Sequence, residues 1–253
     1  MPSGFPEESA ISAARTRALP YAALGERVAA VRARIGRACA VAGRDASEVT
    51  LVAVTKTHPP EAVAAAQAAG LTDFGENRVQ ELVAKASELP GVTRGGRVRW
   101  HLIGPLQRNK TRDAVAYADV FHALDSLRLA EALSRRLVAA ERTLECFVQV
   151  NVSGEASKSG VAPEEAHALV DAAHALPGLC VVGLMTLAAP AETPAALEAL
   201  VRPQLRQLRA LRDAYAGPAP LRLLSMGMSG DLEVAVEEGA THVRIGTDLF
   251  GRR

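Results

Sequence analysis

Residues 50–77, TLVAVTKTHPPEAVAAAQAAGLTDFGEN, contain the pattern from which the fold is predicted. An apolar run over 50–55 is followed by an alanine-rich helical pattern over 60–69 and by a second apolar run over 71–74. The first run is apolar at successive positions, which is typical of a strand covered on both faces in a parallel sheet. The stretch therefore predicts a strand–helix–strand unit of an α/β protein.

The same alternation continues along the chain. Predicted strands cover residues 50–55, 71–74, 98–103, 119–124, 145–151, 179–185, 221–226 and 241–245. Predicted helices cover residues 22–41, 60–69, 77–89, 108–117, 127–140, 163–176, 193–216 and 232–238. Eight strands, most of them followed by a helix, close naturally into a (β/α)8 TIM barrel, for which about 250 residues suffice. We expect a single barrel over 21–253 with an extra N-terminal helix, and a disordered or irregular extension over 1–20.

An open, doubly wound sheet is the competing architecture. It is disfavoured because neither a glycine-rich dinucleotide turn nor a P-loop follows any predicted strand.

Composition limits the classes of function. Of the 253 residues, 49% are hydrophobic and 23% are charged, and the net charge of +1 gives no electrostatic case for nucleic acid or a membrane surface. No apolar run approaches the roughly 20 residues of a membrane span. Cys39, Cys146 and Cys180 lie too far apart for a zinc pattern or a disulfide framework, so we expect a cytoplasmic protein. With no obvious exposed apolar stripe, we expect a monomer.

Lys56 follows the first predicted strand directly. Only four of the 29 basic residues are lysines, so lysine is rare where any cation would serve. A primary amine condenses with an aldehyde, which a guanidinium cannot do. The alternative is a lysine whose chain extends from the strand end into solvent.

Two loops near the C-terminus combine glycines with hydroxyl groups. In a barrel, binding groups collect at the carboxyl ends of the strands. After the seventh strand, the loop SMGMSGD (225–231) offers Ser225, Ser229 and main-chain N–H groups, which suit an anion. Gly246 and Thr247 offer a second cluster after the eighth strand. Helix capping by Ser229 is the alternative to phosphate binding, and Arg244 is either an exposed cation or a fixed one beside the ligand.

Six strings carry a family resemblance: VTK (54–56), FGENRVQE (74–81), WHLIGPLQ (100–107), NVSGEASKSG (151–160), LSMGMS (224–229) and VRIGT (243–247). In these strings, which keep the same order, the chain closely resembles the pyridoxal phosphate homeostasis proteins over residues 22–250. The resemblance implies a barrel of the alanine racemase N-terminal type and pyridoxal 5′-phosphate as the cofactor.

The resemblance also implies roles for individual residues. Lys56 would hold the cofactor as an internal aldimine, and Arg244 would face the pyridine nitrogen. Ser229, Gly246 and Thr247, with Ser225 as a further candidate, would bind the phosphate. Asn77 would lie near the ring, although a helix cap is an equal alternative. His101 would flank the cofactor or serve a structural role in its strand, and Met226 would fill the core.

The resemblance implies a carrier for the cofactor without established turnover, whose recipients would be apo forms of cofactor-dependent enzymes. A low-activity amino-acid racemase is the alternative, and it would need a second base. Tyr21, Tyr117 and Tyr215 all fall in or near predicted helices rather than at strand ends. A third hypothesis is a barrel enzyme that binds a phosphate ligand without the amine link.

Lys158, after the fifth strand, is either a solvated lysine or a transient second acceptor of the aldehyde.

Overall fold

The computed structural model describes residues 21–89, 98–155 and 158–251, so the predicted extension over 1–20 lies outside the described residues. Its centre is a closed barrel of eight parallel strands in chain order. The strands are β1 (Thr50–Val54), β2 (Asp73–Glu76), β3 (Arg99–Leu102), β4 (Val120–Leu124), β5 (Leu144–Gln149), β6 (Leu179–Met185), β7 (Leu223–Ser225) and β8 (His242–Ile245). Pairing of β8 with β1 closes the barrel and places Ala53 opposite Ile245. The predicted (β/α)8 TIM barrel is confirmed.

Helices surround the barrel, as the alternating pattern predicts. The α-helices of four or more residues are α1 (Leu24–Val41), α2 (Pro60–Ala68), α3 (Val79–Glu88), α4 (Thr111–Tyr117), α5 (Leu127–Ala139), α6 (Ala166–His174), α7 (Arg202–Ala214), α8 (Leu232–Glu237) and α9 (Thr247–Phe250). Their apolar faces pack on the outer side of the strands, where Phe74 of β2 and Trp100 of β3 are fully buried against each other.

The extra N-terminal helix α1 packs against α8 and α9. Its buried residues Leu24, Val28, Val31 and Ile35 recur at helical spacing, so one face of the helix is apolar. Because α8 and α9 follow β7 and β8, the helix α1 lies behind the last two strand ends.

Among the differences from the predicted bounds, two have identifiable reasons. β2 begins at Asp73 rather than at residue 71, because the N–H of Leu71 still donates to Ala66 O at the end of α2. The helix predicted over 193–216 contains a π-helical segment, Leu197–Val201, before α7. Pro203 has no N–H to donate and its ring crowds the preceding turn, which accounts for the wider turn there.

The described residues contain neither a membrane-spanning helix nor a metal-binding cluster. No helix in these ranges is both long enough and apolar enough to cross a bilayer. No group of three or more His, Cys, Asp or Glu side chains in the same ranges is placed to hold a metal ion.

Candidate functional site

A cavity of about 580 Å³ opens at the carboxyl ends of the strands. Six of the seven candidate residues line it: Lys56, Asn77, Ser229, Arg244, Gly246 and Thr247. These residues lie at or just after the ends of β1, β2, β7 and β8, which are neighbours around the closed barrel. The topology therefore brings together groups that are almost 200 residues apart in the chain.

Lys56 is exposed at the mouth of this cavity, and a buried ion pair lies behind it. Lys85 of α3 places its Nζ 2.5 Å from Oε1 of Glu76, at the end of β2. Lys85 also donates to the main-chain oxygen of Thr55, and the Thr55 hydroxyl donates to Glu76. Burial raises the pKa of Glu76, although its bonds with Lys85 and Thr55 act in the opposite direction. The cluster ties the residue before Lys56 to the end of β2.

The chain turns sharply immediately after Lys56. Thr57 adopts a left-handed backbone with φ of 61°, which is unfavourable for a β-branched residue. Its N–H donates to Oε2 of Glu81 at 2.6 Å, and this bond holds the strained conformation. Strain of this kind is concentrated at functional sites in proteins, where the surrounding structure maintains it.

Asn77 is half-buried in the loop between β2 and α3. The N-cap of α3 is Arg78, so Asn77 does not cap that helix. A side chain at Gly104, after β3, would collide with the main-chain oxygen of Asn77. Gly104 thus permits the close approach that fixes Asn77 at the cavity wall.

The loops after β7 and β8 meet at one side of the cavity. The Ser229 hydroxyl accepts the N–H of Asp248 at 3.4 Å. Among the described residues, the main-chain N–H groups of Gly246 and Thr247 have no hydrogen-bond acceptor. The N-cap of α8 is Asp231, so Ser229 does not cap that helix. The two loops therefore form a concave set of donors that suits an anion.

Arg34 of α1 clamps these two loops from behind. Its guanidinium donates to the main-chain oxygen of Ser229 at 3.1 Å and to both carboxylate oxygens of Glu233. A further nitrogen donates to Asp248 in the second loop. The extra helix thereby sets the distance between the loops that follow β7 and β8.

Arg244 is almost fully buried in the floor of the cavity. It donates from Nη1 to the Ser225 hydroxyl at 2.6 Å and from Nη2 to the Thr186 main-chain oxygen at 2.8 Å. Burial lowers its pKa to about 10, which leaves the guanidinium charged at neutral pH. Ser225 lies beneath Arg244 rather than on the cavity wall, where its hydroxyl accepts from the guanidinium. A direct contact between Ser225 and a phosphate stays a prediction.

The other residues singled out in the sequence have different positions. His101 is fully buried below the cavity, where it contacts Asp73 and His122. Met226 is also fully buried, as expected for a core residue. Lys158 lines the cavity, with its Nζ 2.9 Å from Oε1 of Glu155.

Sequence reasoning missed the supporting residues Arg34, Asp73, Lys85 and His122. One signal was available for Asp73. Alternation along a strand puts every second side chain on the same face, so Asp73 shares its face with Asn77. The rule gives no such signal for His122, because the pairing of β4 with β5 shifts between Phe121 and Leu124. No sequence pattern identifies the partners of Arg34 and Lys85, because these contacts arise from packing of helices on the barrel.

Comparisons with known proteins agree with this architecture. Residues 27–253 match the family model for the alanine racemase N-terminal domain. A pyridoxal phosphate homeostasis protein of Pseudomonas aeruginosa is 48% identical over 230 residues, which cover 91% of this chain and 96% of that protein. A protein of the same name from Aquifex aeolicus is 41% identical over 230 residues, which cover 90% of this chain and 97% of that protein.

Solved structures of PipY from Synechococcus elongatus are similar along their whole length. The structure with PLP bound has a TM-score of 0.75, 37% sequence identity, and coverage of 90% of this chain and 100% of that chain. The structure without PLP gives a TM-score of 0.78 at the same identity and coverage.

Proposed function

Because the chain belongs to the family of pyridoxal phosphate homeostasis proteins, we propose that it binds pyridoxal 5′-phosphate at the barrel mouth. In this proposal it holds the cofactor in reserve and releases it, without catalytic turnover. The PLP bound to PipY, a relative of 37% identity, supports the same ligand here.

The single observation that carries the proposal is the composition of the cavity. Pyridoxal 5′-phosphate has an aldehyde, a phosphate and a pyridine nitrogen. One cavity offers an amine at Lys56, unpaired N–H groups at Gly246 and Thr247, and a buried cation at Arg244. Its volume of about 580 Å³ also lies in the range of small-molecule sites. The residues present therefore fit the cofactor.

Each group of the cofactor has a partner in this arrangement. When bound, the cofactor supplies an aldehyde that condenses reversibly with a primary amine. Lys56 provides that amine, and the loops around Ser229 and Gly246 hold the phosphate. Asn77 borders the ring. Arg244 would face the pyridine nitrogen and, as a charged donor, would keep that nitrogen unprotonated, so the ring would be a weak acceptor of electrons.

The positions of the tyrosines support a role without turnover. Racemisation needs an acid–base group on each face of the ring. Tyr117 is close to Ser87, and Tyr215 donates to Asp171, on the outer side of the barrel. Tyr21 packs its ring against Phe250. None of the three tyrosines lines the cavity.

We place the protein in the cytoplasm as a monomer whose partners are apo forms of cofactor-dependent enzymes. Its three cysteines are free and one of them, Cys180, is exposed, which suits a reducing compartment. The exposed large hydrophobic side chains of the described residues are spread over several elements, as is normal for a monomer. The open mouth would give a recipient enzyme access to Lys56.

Absorption spectroscopy and peptide mapping test the proposal. Purified protein mixed with pyridoxal 5′-phosphate should develop a visible band, and borohydride should fix the label on Lys56. Lys56→Arg keeps the charge but cannot condense with an aldehyde, so the band and the label should disappear. Lys158→Ala is the matched control at the same cavity and should retain both.

Two results would contradict the proposal. A label on another residue, or no band in the wild-type protein, would exclude the assigned site. Catalytic exchange of the α-proton of L-amino acids in deuterated water, lost in Lys56→Arg, would instead identify an enzyme.

A further inference from the structure

A row of polar side chains crosses the interior of the barrel beneath the cavity. Asp73 Oδ1 lies 2.9 Å from His101 Nε2, and His101 Nδ1 lies 2.9 Å from His122 Nε2. His122 Nδ1 lies 2.8 Å from the Ser225 hydroxyl, which accepts from Arg244 at 2.6 Å. The row begins at Asp73, which borders a cavity of about 420 Å³ lined by the residues that open β1 and β2. It therefore links the two ends of the barrel.

The chemistry of the two end groups determines which atom donates at each step. Arg244 has only donors, so the Ser225 oxygen accepts and its hydrogen must go to His122 Nδ1. His122 then carries its hydrogen on Nε2 and donates it to His101 Nδ1. His101 in turn donates from Nε2 to the carboxylate of Asp73, which accepts.

The opposite direction leaves a buried group unsatisfied. If His122 donated to Ser225, the hydroxyl hydrogen would need another acceptor. Among the described residues no other acceptor is within reach of Ser225 Oγ, and this residue is fully buried. An unmade bond of this kind is costly in the interior. Burial also lowers the pKa of His122 well below its ordinary value, with His101, His242 and Arg244 acting in the same direction, so His122 is neutral.

We propose that Asp73, His101 and His122 are positioning residues for the ligand and act through Ser225 on Arg244. His122 accepts the Ser225 hydrogen and is held in turn through His101 and Asp73, so the row fixes the orientation of the Ser225 hydroxyl whose oxygen accepts from Arg244. The guanidinium is then held by Ser225 and Thr186, with its remaining N–H groups available to the cavity. The inference rests on the proposed function only for the identity of the ligand.

The location of the hydrogen on each histidine ring gives a direct test in the ligand-free protein. Two-bond ¹⁵N–¹H spectra of the labelled protein at pH 8 should show hydrogen on Nε2, and not on Nδ1, for both His101 and His122. In Asp73→Leu, which removes the final acceptor, the hydrogen should stay on Nε2 of His101 but lose its bond, so the His101 Nε2 signals should shift away from their wild-type positions. Asp73→Asn retains an acceptor oxygen and should restore the wild-type pattern. A hydrogen on Nδ1 of either ring in the wild-type protein would overturn the proposal.

Binding measurements test the effect on the site. Pyridoxal 5′-phosphate contacts Arg244 in the proposed function, whereas inorganic phosphate needs only the loops after β7 and β8. We expect Asp73→Leu and His122→Phe to weaken binding of pyridoxal 5′-phosphate about threefold to tenfold, the effect of one hydrogen bond. Binding of inorganic phosphate should change less than about twofold, since its loops are untouched.

His242 provides a matched control. Its ring lies among the same side chains, with ring centroids 6.1 Å from His101 and 6.0 Å from His122, but it has no hydrogen bond to any member of the row. His242→Leu should leave the tautomers and the ratio of the two affinities unchanged. An equal change in this variant, or an equal loss for both ligands, would indicate general packing and contradict the proposal. If the wild-type protein bound no pyridoxal 5′-phosphate, the proposed function would fail, while the ring-nitrogen spectra would still decide the inference.

Discussion

At the scale of single residues, the candidate site depends on backbone conformations that most side chains do not favour. Thr57 and Gly227 both have positive φ, at 61° and 96°, and they stand in the loops that carry Lys56 and Ser229. Thr57 is held by a hydrogen bond, whereas Gly227 needs the absence of a side chain. A Cβ at Gly227 would lie 2.5 Å from the Cβ of Ala235 in α8.

Replacing Gly227 therefore has a predictable cost. Gly227→Ala combines an unfavourable backbone region with a collision, and we expect it to lower the free energy of unfolding by about 1–3 kcal/mol. Gly230→Ala, three residues further along the same loop, meets no atom within 4 Å and should be close to neutral. Urea denaturation of both variants measures the difference, and equal midpoints would contradict the prediction.

The buried pair of Lys85 and Glu76 gives a second prediction. Lys85→Met leaves the Glu76 carboxylate buried without its cation, and we expect a loss of about 3–5 kcal/mol at pH 7. Adding Glu76→Gln to the same variant removes the uncompensated charge and should recover much of this loss. Urea denaturation of the two single variants and the double variant measures whether their effects on the free energy of unfolding are coupled. Additive effects of Lys85→Met and Glu76→Gln would contradict the prediction.

At the scale of elements, α1 has a function that its amphipathic pattern alone does not reveal. The pattern predicts a buried face, and Val28 and Ile35 are indeed buried. Arg34 lies beside that face and binds both loops that follow β7 and β8. The helix thus contributes to the site without lining the cavity.

Loss of the clamp should weaken phosphate binding. Arg34→Met keeps most of the side chain's bulk but removes the bonds to Ser229 and Asp248, and we expect inorganic phosphate to bind about threefold to tenfold more weakly. Arg37→Met, an exposed change on the same helix, is the control and should bind as the wild type does. Isothermal titration calorimetry measures both affinities, and an unchanged affinity in Arg34→Met would show that the loops keep their spacing without it.

At the scale of the whole molecule, the barrel interior contains histidines where aliphatic side chains are usual. Burial lowers the pKa of His242 from the ordinary value of 6.5 to about 3, with His101 and Arg244 adding to the effect. The pKa of His122 is lowered in the same way. Both rings are therefore neutral in the folded protein under mildly acidic conditions in which the unfolded chain takes up protons.

This difference predicts a loss of stability on acidification. Between pH 6.5 and about 3, His242 is protonated in the unfolded chain but stays neutral in the folded protein. The His242 shift should therefore lower the free energy of unfolding by about 1.4 kcal/mol per pH unit as the pH falls through this window. His242→Leu should make the slope shallower by about that amount. Urea denaturation from pH 8 to pH 4 measures the slope, and identical slopes in the variant and the wild type would contradict the prediction.

The sequence predicts the barrel and the lining of the candidate cavity better than it predicts what supports that lining. Lys56 and Arg244 were identifiable because each stands at a strand end, and strand ends converge in this fold. Arg34 and Asp248 are 214 residues apart, and His122 and Ser225 are 103 apart. Contacts at such separations depend on the three-dimensional packing of helices and strands. Neither hydrophobic period nor turn composition encodes them.

Closure of the barrel by β1 and β8 has a consequence for how the protein is made. Val52 pairs with Arg244, so of the eight barrel strands the one that is synthesised first is matched with the one that is synthesised last. A nascent chain that has not yet emerged beyond residue 240 lacks both the floor of the cavity and one of its two anion-binding loops. A ligand that needs both loops, as the proposed function requires, can therefore bind only after translation has passed β8 and the polypeptide has closed its barrel.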